Sequence, residues 1–514
     1  MTSTPAHFNL FVALRTGFPE DLDRTAIETV DTGLFYTWRD IERATAMLAN
    51  LLDSLALPPS SRIAVQAEKS VESLLFYLAV LRAGHVYLPL NTAYKPDEIA
   101  YFLGDAEPAV FVCSPKDFVW VSKRAFAAGT TFVFTLGDDR SGSLLERAGH
   151  FTDRHEPAPK KAGEMATILY TSGTTGRSKG AMLTHGNLLS NALTLKQHWR
   201  WRAPAEGGDV LVHALPIFHV HGLFVASHGA LIAGAKMLWL DRFDPKRVAR
   251  ELPRATVFMG VPTLYVRLLA EPSFTREACR HMRVFISGSA PLLLDTFKQF
   301  RERTGHTILE RYGMSETAML TSNPYEGERR GGTVGLPLPG VGLRIVGQEG
   351  AALPSGTVGS IEVRGPNVFM GYWRMPEKTR EEFTADGWFR TGDVGLVDEP
   401  GYVSIVGRSK DLIISGGYNV YPAEIESVLN DLPGIAESAV VGVPHGDFGE
   451  AVVAVVVARA GSALAPDALI AALKQRIANF KVPKAVFVVT ELPRNTMGKV
   501  QKNLLRERHA ALFA

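Results

Sequence analysis

From Tyr170 to Gly180 the chain reads YTSGTTGRSKG, with hydroxyls, glycines and two basic side chains in one short loop. Backbone N–H groups in a glycine-rich turn, hydroxyls and a lysine are what a polyphosphate needs, namely converging donors and positive charge. The P-loop pattern is excluded. It requires Gly, four residues, then Gly-Lys-Ser/Thr, whereas Gly173 and Gly176 stand too close together and Lys179 precedes Gly180. Taken alone, such a loop is more often a plain connection. It is expected to run from the apolar strand ATILY into a helix-like segment.

Four further stretches follow in order: YGMSET (Tyr312 to Thr317), WFRTGDVG (Trp388 to Gly395), GRSKDLIISGGYNVYPAEIE (Gly407 to Glu426) and PRNTMGK (Pro493 to Lys499). With the first loop they resemble the adenylate-forming superfamily of acyl-CoA synthetases, carrier-loading adenylation domains and luciferases. The resemblance covers nearly the whole chain, and five motifs in register make it specific.

The resemblance implies a two-step reaction. A carboxylate attacks the α-phosphate of ATP to give an acyl-adenylate and pyrophosphate, and a thiol then displaces AMP. The difficulty is charge crowding as a carboxylate approaches a polyanion, so cations and fixed donors are expected there. Thr171, Ser172, Gly173, Thr174, Thr175, Gly176 and Lys179 would hold the β- and γ-phosphates. Glu316 matches the acid that binds magnesium, a hard cation suited to carboxylate and phosphate oxygens. Asp393 matches the acid on both ribose hydroxyls, and Arg408 an arginine near ribose and phosphates. Gly288, Ser289 and Ala290 of SGSAPL would lie along the adenine with Tyr312 stacked on it, and Gly313 and Thr317 complete the nucleotide contacts. Lys499 would bridge the acid and the α-phosphate. A small domain would then rotate about Lys410 and bring Gly416 and Gly417 to the pantetheine tunnel of coenzyme A, where glycine permits close approach.

For the acid, GVPTLYVRLL, FISGSAPL and PRNTMGKVQKNLLRE most resemble malonyl-CoA synthetases. That implies Arg267 on the distal carboxylate of malonate, assisted by Ser289, with His219 and His221 of LPIFHVHGL at the acyl pocket. Arginine's planar fork suits a carboxylate. The alternatives are a CoA ligase for another short-chain or aromatic acid, and an enzyme that loads a carrier protein. The chain ends soon after Lys499, which favours free coenzyme A. Lys499 is also expected to be a target of a protein acetyltransferase and deacetylase, since acetylation removes its charge.

These residues need a scaffold. β-like runs that each feed a Gly-, Ser-, Thr-, Pro- or His-rich loop, then a helix-like segment, argue an α/β fold with ligands at the strand ends. Beyond residue 340 shorter glycine-punctuated pieces suggest a β-barrel-like subdomain. From YPAEIESVLNDL onward a small α+β unit follows, with Pro422 at a first helical position. The expected division is 1–407, binding ATP and acid, and 408–514, mobile and carrying Lys499.

Composition narrows the classes. A net charge of +2 from 55 basic and 53 acidic residues gives no global polyanion signal, so neither nucleic acid nor a membrane is an expected partner. The two cysteines, Cys113 and Cys279, have no metal-ligand spacing and are expected to be buried. The most apolar run, AVVAVVVA, is too short to span a bilayer. A cytoplasmic enzyme is expected.

Overall fold

The computed structural model describes residues 8–171, 178–416, 418–495 and 499–513. Its centre is two large sheets. In the first, of nine strands, Val210–His213, Lys236–Trp239, Val257–Gly260, Val284–Ser287 and Leu309–Met314 run parallel, so their carboxyl ends emerge at one edge. The second, of seven strands, has a parallel body of Arg62–Gln66, Val86–Pro89, Val110–Cys113, Phe132–Thr135 and Met165–Thr171. These strands are continuous apolar runs because helices cover both faces. The helix Val71–Arg82 is buried along its whole length, including Phe76 and Tyr77 at 0% exposure. No helix among the described residues is long and apolar enough to cross a membrane. Cys113 and Cys279 are buried and unpaired, as expected.

Lys179–Thr184 departs from the expected helix-like segment. It is a strand that pairs antiparallel with Met165–Thr171 on one side and with Gly371–Tyr372 on the other. The phosphate loop therefore closes a β-hairpin, and the helix begins only at His185, capped by the Thr184 hydroxyl. Two flanking strands satisfy backbone groups that a helix would have satisfied internally.

Gly342–Val346, Gly359–Arg364, Phe389–Val397 and Val403–Arg408 form a four-stranded antiparallel sheet. It joins the nine-stranded sheet through the Val403 and Val334–Gly335 backbones. Past the single turn Ser409–Asp411, the chain enters a separate five-stranded sheet. There Pro422–Asn430 starts on its proline and buries Ile425 and Leu429 against Ile435–His445 and Gly449–Ala458.

Candidate active site

The carboxyl ends of the parallel strands meet the hairpin and the four-stranded sheet, and the site lies there, where open α/β sheets place ligands. Of the phosphate loop, Thr171 and Lys179 face each other across the hairpin mouth. Ser172, Gly173, Thr174, Thr175 and Gly176 lie outside the described residues. The Lys179 ammonium stands 4.4 Å from the Tyr372 ring centre and 3.7 Å from Glu382. Tyr372 in turn donates its hydroxyl to Glu316 Oε1 at 3.0 Å. One tyrosine thus spaces the phosphate-loop cation from the candidate metal-binding acid.

Glu316 sits in the turn Ser315–Thr317 between Leu309–Met314 and Ala318–Ser322. Asn367 fixes this turn by donating to the Thr317 and Met319 carbonyls, and Phe369 donates its N–H to that of Glu316. Only 5% exposed, Glu316 is raised above the usual carboxylate range by burial. A desolvated carboxylate of this kind gains from a cation. With one acid at hand, a magnesium ion would draw its other oxygens from phosphate and water, its usual habit.

Asp393 and Arg408 are cross-strand partners, with Arg408 Nε 3.0 Å from Asp393 Oδ1. The Tyr312 hydroxyl donates to the other oxygen of Asp393. Asp393, at 4% exposure, keeps a fixed orientation suited to a bidentate acceptor. Gly288 packs against the next strand, where a Cβ would lie 2.7 Å from the Arg311 guanidinium. Gly313 is equally restricted by the Ala318 carbonyl. Thr317 is fully buried, and Ala290 is half-buried in the loop after Val284–Ser287.

Ser289 is held at φ 73°, a left-handed conformation costly for serine. Its Oγ lies 3.5 Å from both His221 Nδ1 and Arg311 Nη1. Burial pushes His219 down to about 3 and drives His221 well below the usual histidine range, so both rings are neutral. His219 also borders a cavity of about 20 Å³, room for roughly one water, together with Asn91, Tyr170 and Ser315.

Sequence reasoning passed over Arg311. It is 2% exposed, its Nε and Nη2 have no hydrogen-bond partner among the described residues, and burial pushes its pKa down to about 9. A desolvated, half-satisfied cation is costly unless an anion arrives. The available signal was a Glu-Arg pair, Glu310 and Arg311, inside a short strand-like run, LERYGM, of the large lobe. Arg267 is on the exposed side of the helix Pro262–Leu269 and has no ion pair among the described residues.

Lys499 completes the arrangement from the small lobe. Arg494 bridges Val500, the Asn495 N–H donates to the Lys499 carbonyl at 2.9 Å, and the Lys499 N–H donates to Asn495 Oδ1 at 2.9 Å. Solvent reaches the Lys499 side chain, yet both lobes enclose it. That enclosure, reinforced by Arg408, holds its ammonium below the ordinary lysine range, while Asp393 and Glu316 oppose the shift. His219 and Arg311 lie within the same field.

Lys410 is exposed in the turn between the lobes, beside Asp411, which pairs with Arg506. Gly416 turns at φ 58° and donates to the Phe448 carbonyl within the small lobe. Gly417 lies outside the described residues.

The family model described as AMP-binding enzyme matches residues 18–373, and that of the AMP-binding enzyme C-terminal domain matches 424–499. The chain is 35% identical to a malonate–CoA ligase of Arabidopsis thaliana, covering 87% of this chain and 78% of that protein. It is also 35% identical to a feruloyl-CoA synthase of an Amycolatopsis species, covering 94% and 96%. Among solved structures, ATP-bound MatB from Rhodopseudomonas palustris shares 52% identity over 99% of this chain and 100% of that one, with a TM-score of 0.95. Its apo form, over the same coverage, scores 0.85.

Proposed function

The chain belongs to the AMP-binding enzyme family, and from that premise we propose that it is a malonate–CoA ligase converting malonate, ATP and coenzyme A to malonyl-CoA, AMP and pyrophosphate. The observation that carries the acid is Arg311. A neutral acyl tail, short or aromatic, leaves its buried guanidinium without an anion. A second carboxylate satisfies it, with Ser289 as a hydrogen-bond donor and Arg267 as a further cation at the pocket rim.

In this reading Lys499 draws the reacting carboxylate toward the α-phosphate. One carboxylate oxygen bonds to that phosphorus as the bond to pyrophosphate breaks. Lys179, with the phosphate loop, steadies the departing charge; Glu316 would hold a magnesium ion, which when bound would supply further positive charge there. Asp393 accepts from the ribose hydroxyls, and Arg408 beside it faces the phosphates. Gly288, Ser289, Ala290, Tyr312, Gly313 and Thr317 border the base. The neutral state of His219 and His221 matters here, because a protonated ring would compete with Arg311 for malonate.

The thiol then attacks the acyl carbonyl and AMP leaves. Lys499 stands where the thiol must enter, so we assign residues 408–514 as a body that swings about Lys410 and brings Gly416 and Gly417 to the pantetheine. We place the reaction in the cytoplasm, a compartment suited to two free thiols.

The test is a panel of mono- and dicarboxylic acids in a coupled AMP-release assay. Arg311→Ala is expected to raise the malonate KM by about 100-fold or more, as truncating one member of a buried charge pair does, and Arg267→Ala, which removes an exposed rim cation, to raise it by less. The ATP KM should stay nearly constant. An equal loss toward acetate and malonate would remove the diacid assignment.

A further inference from the structure

His221, at the acid pocket, opens a turn whose remaining residues none of these roles uses. After Val210–His213 the chain loops through Pro216–Val220 into a π-helical turn, His221–Ser227, fully buried. Such turns are uncommon and recur at functional sites. The Gly222 carbonyl within it receives the Ser227 hydroxyl at 2.9 Å and lies 3.0 Å from His213 Nε2, which is also 3.0 Å from Ser227 Oγ. A carbonyl only accepts, so Nε2 carries the proton. His213 Nδ1 is buried, has no hydrogen-bond partner among the described residues, and is bare.

Strand and sheet anchor this ring. His213 is the last residue of its strand, stacks on Trp239 at 4.5 Å, and offers its carbonyl to Lys69 Nζ at 2.8 Å. Gly222 accepts no side chain, because a Cβ would overlap the Pro216 carbonyl. The entry to the turn is thus pinned at Gly222, and the residue before it is His221, which faces Ser289 Oγ. Ser289 in turn faces Arg311.

We propose that His213 and Ser227 form a clasp on the Gly222 carbonyl that sets the position of His221, and through Ser289 and Arg311 the grip on the distal carboxylate. His213 is a positioning residue that never touches substrate. The inference rests on the malonate assignment for the identity of the acid, but not for the clasp itself.

The test compares His213→Ala, His213→Gln and Ser227→Ala in the full chain, each with its thermal midpoint. His213→Ala is expected to raise the malonate KM about tenfold, the loss typical of one buried hydrogen bond, with the ATP KM within about twofold. Its preference for malonate over acetate should fall by a similar factor. His213→Gln, whose amide N–H can reach the same carbonyl, should recover part of both, and Ser227→Ala should shift them the same way by less. A folded His213→Ala protein with unchanged malonate KM and unchanged acid preference overturns the proposal. So does an equal loss toward all acids that glutamine does not rescue. Should His213→Ala fail to fold, Ser227→Ala is judged by the same criteria. A wild-type enzyme that prefers another acid would defeat the malonate assignment instead, and the clasp would be judged on that acid.

Discussion

Two cations meet at this site from opposite directions, and their surroundings separate their tasks. Arg311 is sealed in the large lobe beneath Ser289, so it can only bind what enters. Lys499 arrives from the small lobe and remains reached by solvent. A cation placed where charge builds in the transition state is worth a factor of about 10²–10³. Lys499→Ala should therefore lower malonate-dependent exchange of labelled pyrophosphate into ATP by about that much. Lys499→Arg is expected to rescue poorly, because a planar fork does not replace a compact ammonium. We propose that an acetyltransferase silences the enzyme through this lysine and a deacetylase restores it. Stoichiometrically acetylated protein should match the alanine variant, and full exchange activity after acetylation would refute that control.

At the scale of elements, the connection between the lobes is short. Val403–Arg408 ends on Arg408, the partner of Asp393, one turn follows, and Ile413–Ser415 already belongs to the other sheet. Few backbone angles are available to absorb a rotation. The lobes are also tied across their surfaces by Arg459 and Asp295 at 2.7 Å, an exposed pair worth less than about 1 kcal/mol that can part easily. Lys410→Pro, which fixes one of those angles, should preserve pyrophosphate exchange while slowing thioester formation by about tenfold or more. Equal slowing of both steps would argue against a hinge at that residue.

Over the whole molecule, burial of imidazoles dominates the response to acid. Desolvation pushes His185 down to about 4 and His219 and His228 to about 3, and drives His213 and His221 well below the usual value. The unfolded chain then binds more protons than the folded one below about pH 6.5, so this stability is intact above that pH and is lost on acidification toward 4. His185 alone accounts for about 3 kcal/mol by pH 4. Burial raises Glu310 to about 8 and Glu316 above the usual carboxylate range, which acts in the opposite sense, but these are two carboxyls against five imidazoles. Urea midpoints should fall between pH 7 and pH 4. His185→Gln, which keeps an acceptor near the Leu10 N–H, should flatten that slope, and a slope equal to wild type would contradict the account.

What the order of residues determined by itself was local. Alternating apolar runs set strands such as Val284–Ser287 and Gly449–Ala458, Pro422 set a helix start, and the motif side chains Lys179, Glu316, Asp393, Arg408 and Lys499 carried their chemistry with them. Such features follow from backbone angles and side-chain types within a few positions. Tertiary structure decided the rest. Lys179–Thr184 is a strand because Gly371–Tyr372, far along the chain, pairs with its open edge. Arg311 is the pocket's buried cation because Gly288 and Ser289 close over it, whereas Arg267, equally charged, stays exposed on its helix. Desolvation and partnership depend on which distant segments pack together, and a window of neighbouring residues contains neither.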